Sequence, residues 1–525
     1  MKYNNKIRHF GLLCLLALPL FSCTDWDDHY DGGEDIISDK TLWEEIESRP
    51  ELTKFKDFLE QYGYKDILSG SQMYTVFAPV GDIDTTGIGS SAEKVKTEVI
   101  ENHIARFAHS ANSATNDNSD VLMLNNKIVK FTYGDGGYMF GSKKFTEEHN
   151  IRAKNGVLHV IEGQQMFFPN IWEYLTTDTR FDSIRNYLYS FNDTLLDENN
   201  SVKGEINENG QQEYLDSVVN IYNSLFYYIG ELNNEDSTYT MIVPTNKAWS
   251  DAYKNTKKYY VYPKNMKNRD SLQVVYSRRA IVRDLVFSHT MQKSVEDSLV
   301  STTKGVFKKP FDYILSGYSD WNQSVKCSNG GIFIVDTLRH QAQDSWHTPI
   351  KFEAEQLKVL NEDDTKTSAF INRRTLPSTD SLYTKVSNAS FLELTPKTAT
   401  GTPIIYFNIW NTLSGNYDVK IVFLPQTRAI RKGNLKTNRF KAGYSPLTDN
   451  GHGDYRQWGT RYSFNEKSEE TLDTVNVGSV KLTRSVYGTE MIGLKVKLES
   501  QSKYSGKEFS TTYLIDCIIL EPSEK

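Results

Sequence analysis

The stretch Thr448-Asp449-Asn450-Gly451-His452-Gly453-Asp454-Tyr455-Arg456-Gln457-Trp458-Gly459-Thr460-Arg461-Tyr462 gathers rings and planar polar groups in fifteen positions. Sugars present apolar C–H faces edged by hydroxyls, so a site for them combines rings to stack on with fixed hydrogen-bonding groups. Tyr455, Trp458 and Tyr462 would supply the rings, and Asp454, Arg456, Gln457 and Arg461 the hydrogen bonds. The competing reading is a loop whose tryptophan packs back on its own domain and whose glycines only turn the chain. Trp321, Trp346 and Trp410 are second candidates by the same logic. Bond-breaking chemistry has less to stand on. The adjacent acids Asp27-Asp28 and Glu469-Glu470 sit in polar stretches and read as solvated surface. A glycosidase needs two carboxylates about 5–10 Å apart in a cleft. No Gly-x-Ser-x-Gly elbow, His-Glu-x-x-His helix or Gly-rich phosphate loop occurs. The expectation is a protein that is not an enzyme.

The elements that would carry such residues fall into several domains, as 525 residues predict. Lys2, Lys6 and Arg8 precede an apolar run from Phe10 to Phe21, too short to span a bilayer and patterned like an export signal. The ending Leu20-Phe21-Ser22-Cys23 resembles the bacterial lipoprotein box. That resemblance implies a signal peptide over 1–22 and acyl chains on Cys23, where two or more chains give stable anchoring. The alternative is an ordinary secretory signal with an incidental cysteine. An acidic tether follows over 23–39, with Asp25, Asp27, Asp28, Asp31, Glu34 and Asp35. It resembles the tag that sends some lipoproteins of polysaccharide-degrading anaerobes to the outer face of the outer membrane. It also reads as a plain solvated linker.

Removing residues 1–22, which hold three basic and no acidic residues, takes the net charge from −7 to −10. Nucleic-acid binding, which wants a basic face, is not indicated. The 31 tyrosines suit a recognition surface, because the ring is rigid and amphipathic. Beyond Cys14 and Cys23 only Cys327 and Cys517 remain. They are expected as two buried thiols rather than a bridge. With no CxxC pair or Cys/His cluster, no zinc site is expected.

An internal repeat organises 40–345. Tyr74-Thr75-Val76-Phe77-Ala78-Pro79 is a strand ending at proline, and Asn155-Gly156-Val157-Leu158-His159-Val160-Ile161 is a turn and a strand. Tyr239-Thr240-Met241-Ile242-Val243-Pro244 and Asn329-Gly330-Gly331-Ile332-Phe333-Ile334-Val335 repeat the pair in order and roughly in spacing. Leu42, Ile46, Phe55, Phe58, Leu59 and Tyr62 recur at helical spacing, predicting a helix over 40–63 that Gly63 ends. Phe181, Ile184, Leu188 and Phe191 repeat that grammar. Helices then strands predict α+β modules.

Thr-Val-Phe-Ala-Pro and Asn-Gly-Val-Leu-His-Val-Ile resemble the two signature blocks of the fasciclin-like domain, with Ile100–Ile104 fitting its His-bearing helix and Met123–Lys127 its later strand and turn. The resemblance implies fasciclin-like domains over 40–170 and 171–345. The second is divergent. It has Phe333 where the first has His159, a looser Leu285–His289 match, and polar insertions near 192–216 and 251–279. His103, His159 and His289 read as hydrogen-bonded core residues before they read as ligands.

From about Trp346 the helical grammar stops. Ile404–Trp410, Asn416–Leu424 and Ile492–Leu498 alternate or run apolar, and Tyr513–Leu520 is apolar on both faces, as a central strand should be. The expectation for 346–525 is an all-β, jelly-roll-like sandwich. Its ends, Ile350–Glu355 and Leu514–Leu520, resemble those of galactose-binding-like carbohydrate-binding modules. That resemblance implies a structural calcium on Glu353 or Glu355 in place of two ordinary surface carboxylates; no other metal or cofactor is expected.

Together these readings describe a multidomain, lipid-anchored outer-membrane protein facing the extracellular side. Its expected partner is a glycan, held non-covalently for adhesion or recognition. The rivals are a scaffold for surface proteins of a glycan-uptake complex and a glycoside hydrolase.

Overall fold

Both repeated motif pairs become parallel strand partners in a computed structural model. It describes residues 38–525 except 87, 89–90, 112–118, 135–136, 197, 199–201, 217–218, 289–297, 309–313, 319–322, 340, 357–368, 399–400, 430–437, 465–470, 501–508 and 524–525. Cys23, the signal segment, most of the tether, Asp27-Asp28, His289, Trp321 and Glu469-Glu470 lie outside the described residues. The chain forms two compact units, Met1–Phe167 and Phe168–Lys525. No helix among the described residues is long and apolar enough to cross a membrane.

In the first unit the strand Tyr74–Pro79 lies parallel to Gly156–Ile161 and antiparallel to Ile104–Arg106, with Ile151–Ala153 on the far edge. Pro79 closes its strand, because proline cannot donate to a ladder. The expected helix over 40–63 is broken into Leu42–Glu47, a 3₁₀ turn Pro50–Leu52 and Thr53–Gln61. Pro50 has no N–H to continue the first helix. Gly63, at φ +86°, ends the third piece as expected. Four further strands, Ser119–Leu122, Ile128–Gly134, Gly137–Phe140 and Lys143–Lys144, make a second sheet over a satellite core. There Phe77 stacks on Phe140 at 3.8 Å.

The second unit begins with the same strand order: Val286–Ser288, Tyr239–Pro244, Gly330–Val335, Val325–Cys327. The registers coincide as well, Tyr74 facing Gly156 and Tyr239 facing Gly330. The 192–216 insertion forms strands: Asn192–Leu196 pairs Val219–Asn223, and Val202–Ile206 pairs Gln212–Asp216. The 251–279 insertion falls largely within two helices, Asn246–Thr256 and Arg269–Arg283.

One buried asparagine ties each copy together. Asn155 Oδ1 accepts from the N–H of Leu42, while its Nδ2 donates to the carbonyls of Leu68 and Gly70 at 2.8 and 2.7 Å. Asn329 Oδ1 accepts from the N–H of Ile171, and its Nδ2 donates to Leu232 and Asn234 at 2.8 and 3.1 Å. In both copies the bonded amide opens a helix that carries a capping box, Thr41 with Glu44 and Asn170 with Glu173. The following glycine permits the close approach. A Cβ on Gly156 would stand 1.9 Å from the Tyr74 carbonyl oxygen, and one on Gly330 1.8 Å from that of Tyr239.

The C-terminal region is two facing sheets. One runs Ala369–Thr375, Ser390–Pro396, Tyr513–Ser523, Gly415–Phe423, Asp473–Leu482, with Ile350–Glu353 also on the Tyr513 strand. The other runs Ile404–Trp410, Ile492–Ser500, Asn438–Thr448, which pairs both Gly451–His452 and Arg456–Phe464. Ile405, Phe407 and Val496 from one sheet meet Val419, Ile421 and Ile515 from the other, all buried. Cys327 and Cys517 are both buried thiols.

Within this unit the α/β module and the sandwich share a hydrogen-bonded seam. The N–H groups of Ser414 and Ser485 donate to the carbonyls of Tyr259 and Val261 at 2.9 and 2.7 Å. Tyr262 donates its hydroxyl to the Tyr487 carbonyl at 2.8 Å. Asp449 accepts twice from Arg484, at 2.6 and 2.7 Å, and once from the Lys264 N–H. Those bonds hold its carboxyl well below the usual carboxylate range.

The asparagine arrangement predicts that Asn155→Ala or Asn329→Ala leaves buried backbone groups unpaired. Each substitution is expected to destabilise its own unit by about 3 kcal/mol, read by chemical denaturation with a probe in that unit. A loss below about 0.5 kcal/mol, as for an ordinary surface change, would remove the asparagine from its structural role.

Candidate functional site

Alternation along the Ile404–Trp410 strand buries Ile405, Phe407 and Ile409 and turns Tyr406, Asn408 and Trp410 outward. The neighbouring strand turns Lys495, Lys497 and Glu499 to the same side, with Tyr406 opposite Lys497 and Asn408 opposite Lys495. Tyr455, 45% exposed, leans its ring toward Tyr406, centroids 5.3 Å apart and planes at 52°. Gln457 is exposed on the same sheet, reached from Tyr406 through Lys497 and Gly443, and Asp454 and Arg456 are exposed at the approach to the Arg456–Phe464 strand. Asn408 Oδ1 is buried without a hydrogen-bond partner among the described residues. Two angled rings, an amide and ammonium groups thus share one outer sheet face. Tyr406 and Asn408 escape a search for aromatic clusters, though the period-two pattern of their strand carries the signal.

Trp458 is not a stacking surface; it follows the competing reading and packs back on its own domain. Its ring is 6% exposed, stacks on Tyr444 at 4.4 Å, and donates Nε1–H to the Ser479 carbonyl at 2.9 Å. Pairing with Asn438–Thr448 turns 456–464 from a loop into a strand, and opposite Ala442 the tryptophan faces the core. Arg461 and Tyr462 lie in the same strand, and their side chains lie outside the described residues. Asp449, at the start of the segment, is engaged in the seam. Trp410 leans on Phe352 at 5.9 Å, and Trp346 packs at the seam.

Glu353, Asp516 and Cys517 bring one ligand atom each within 4.8 Å of one another. Glu353 Oε1 accepts from Ser387 Oγ at 2.6 Å, and Asp516 Oδ1 from the Ser387 N–H at 3.0 Å. The second oxygens of Glu353 and of nearby Glu355 are buried without partners among the described residues. Burial raises the Asp516 carboxyl to about 6 and raises Glu355 also, with the Glu353 charge adding to both. Burial pushes the Cys517 thiol up, which keeps it protonated. Orphaned carboxylate oxygens without a thiolate form a donor set for a hard cation such as calcium, and a poor one for zinc.

The histidines are architectural. Fully buried His103 donates Nδ1–H to the Val99 carbonyl at 2.6 Å and accepts the Gln165 N–H on Nε2 at 2.9 Å. His159 accepts the Asn150 N–H on Nδ1, donates Nε2–H to the His109 carbonyl at 2.7 Å and stacks on Phe77. Burial lowers the first to about 4 and the second to about 3. In the second copy Phe333 occupies the position of His159.

Residues 50–163 match the fasciclin domain. No curated protein sequence matches the chain. Among solved structures, a FAS1 domain pair from the insect cell adhesion molecule Fasciclin I aligns at 14% identity, covering 56% of this chain and 98% of that one, with a TM-score of 0.21. A family 35 carbohydrate binding module from Clostridium thermocellum aligns at 11% identity, over 34% of this chain and 99% of that one, TM-score 0.20. A GH26-CBM35 β-(1,4)-mannanase of Podospora anserina aligns at 12% identity over 34% of this chain, TM-score 0.19, and only 28% of that enzyme's chain is covered.

Because both imidazoles resist protonation in the fold but not in the unfolded chain, their stabilising contribution is complete above about pH 6.5. It is lost as pH falls toward the folded values. Lowering pH from 7 to 4.5 is expected to cost the first unit about 2 kcal/mol through His159. His159→Phe, the residue of the second copy, should cut the unit's slope in denaturation curves by about half, His103 keeping its share. An unchanged slope would contradict the assignment.

Proposed function

We propose that this chain is a non-catalytic recognition lipoprotein of the bacterial outer membrane that captures a glycan at the cell surface. In this reading Cys23 carries the acyl anchor, the acidic tether spaces the body from the membrane, and two fasciclin-like domains form the adhesive stalk. The coincident strand order, register and asparagine ties support reading 171–345 as the second such domain. The sandwich is the binding tip. One observation carries the assignment: the Tyr406–Tyr455 ring pair on the outer sheet face, with Lys497 opposite Tyr406 and Gln457 exposed farther across the same sheet. The rings offer stacking to C–H faces, and the exposed polar side chains offer bonds to hydroxyls. Trp458 supports the face from beneath. Glu353, Glu355 and Asp516 would hold a structural calcium that fixes the first and last strands of the sandwich to each other.

Binding of the full chain to immobilised neutral polysaccharides is expected to weaken about tenfold in Tyr406→Ala or Tyr455→Ala. Undiminished binding in both variants would reject the face. Binding to no polysaccharide would transfer the tip to a scaffold role among surface proteins of a glycan-uptake complex.

Millimolar calcium is expected to raise the melting temperature of the second unit above its value in EDTA, by several degrees. Glu353→Gln should abolish the rise; a melting curve indifferent to calcium would discard the ion.

A further inference from the structure

A cavity lies at the seam of the second unit, lined by none of the residues of the Tyr406–Tyr455 face. It has a volume of about 600 Å³, within the range of small-molecule sites. Its aromatic wall is fixed. Tyr276 stands edge-on to Tyr487 at 5.2 Å, and Tyr260 meets the same ring at 5.9 Å. These rings come from both sides of the seam, so the wall exists only because the module and the sandwich are joined. Two more rings form the rim: Tyr227, 86% exposed, and Tyr228, 49% exposed.

The polar groups are of one sign. Arg279 lies over the Tyr228 ring at 4.2 Å, where the ring holds the guanidinium in place. Arg283 and Lys304 also line the cavity, and none of the lining residues is acidic among the described residues. Behind the lining, buried Asp284 lies 4.0 Å from Arg283 as an ion pair. It also accepts from the hydroxyls of Ser301, Thr303 and Ser345. Trp346 also lines the cavity, and its buried Nε1–H has no acceptor among the described residues. In a chain of net charge −7, three cations beside exposed tyrosine rings form a local exception.

We propose that this seam cavity is a binding site for an acidic oligosaccharide, one whose carboxylate or sulfate groups meet Arg279, Arg283 and Lys304 while its sugar faces lie on the tyrosine rim. Rings alone would suit any sugar, and cations alone any anion. The pairing of both selects a charged saccharide. The site is separate from the outer face and does not rest on the glycan reading of that face.

The test is isothermal titration of the full chain with tetragalacturonate, which carries carboxylates only, with a κ-carrageenan tetrasaccharide, which carries sulfates only, and with neutral cellotetraose. The expected result is binding of at least one acidic probe, weakened about tenfold by Arg279→Gln and several-fold by Tyr227→Ser. Tyr455→Ala should leave it unchanged. Tyr227 is almost wholly exposed, so its variant keeps the test valid even if Arg279→Gln disturbs folding. The acidic probe that binds identifies the anionic group. Failure of both acidic probes would overturn the proposal. So would equal binding of cellotetraose, or acidic binding that is lost in Tyr455→Ala and kept in Arg279→Gln and Tyr227→Ser.

Discussion

A single buried amide holds each α/β module together, once as Asn155 and once as Asn329. Its three bonds join the turn before the central parallel strand to the first helix and to the segment leading into the neighbouring strand. A buried polar group left unpaired costs more than a formed bond returns, so the arrangement is close to all-or-none. Glycine must follow the asparagine, because the strand carbonyl of Tyr74 or Tyr239 fills the space a Cβ would take. Helix start, strand register and turn are therefore fixed by one dipeptide. The sequence around it can drift, as Phe333 in place of His159 shows, while the topology stays.

The second constraint is the seam. Backbone bonds from Ser414 and Ser485 to 259–261, with Arg484 and Asp449 beside them, make the second module a base for the sandwich. A base of this kind removes hinge freedom, which lowers the entropy lost when a ligand spans both parts. It also creates concave surface that neither part has alone. The outer face with Tyr406 and Tyr455 belongs to the sandwich itself, and the tyrosine-and-arginine cavity belongs to the junction.

Much of this was legible in the chain. The strand pairs announced themselves by apolar runs closed by Pro79 and Pro244 and opened by Asn-Gly. The central position of Tyr513–Ser523 followed from apolar residues on both of its faces. Other features were hidden for identifiable reasons. The bonds of Asn155 reach residues 85 to 113 positions away, and no local pattern reports them. Gly459 and the glycines before it made 448–462 look like a loop, when pairing with the strand just before it, Asn438–Thr448, turns much of it into a strand and Trp458 inward. Tyr276 and Tyr487 meet across 211 positions, so the seam and its cavity had no signature at all. Glu353 and Glu355 were visible as candidates for a cation, but Asp516 comes to Glu353 only through strand pairing.

The central claim is that the protein holds a saccharide at the cell surface and leaves it intact. Washed cells bearing the full-length chain, incubated with a polysaccharide panel, allow retained polymer and newly released reducing ends to be measured together. The account predicts retention of at least one polymer without new reducing ends, and loss of that retention with Cys23→Ser. Release of reducing ends that depends on this chain, or retention that ignores the loss of Cys23, would contradict it.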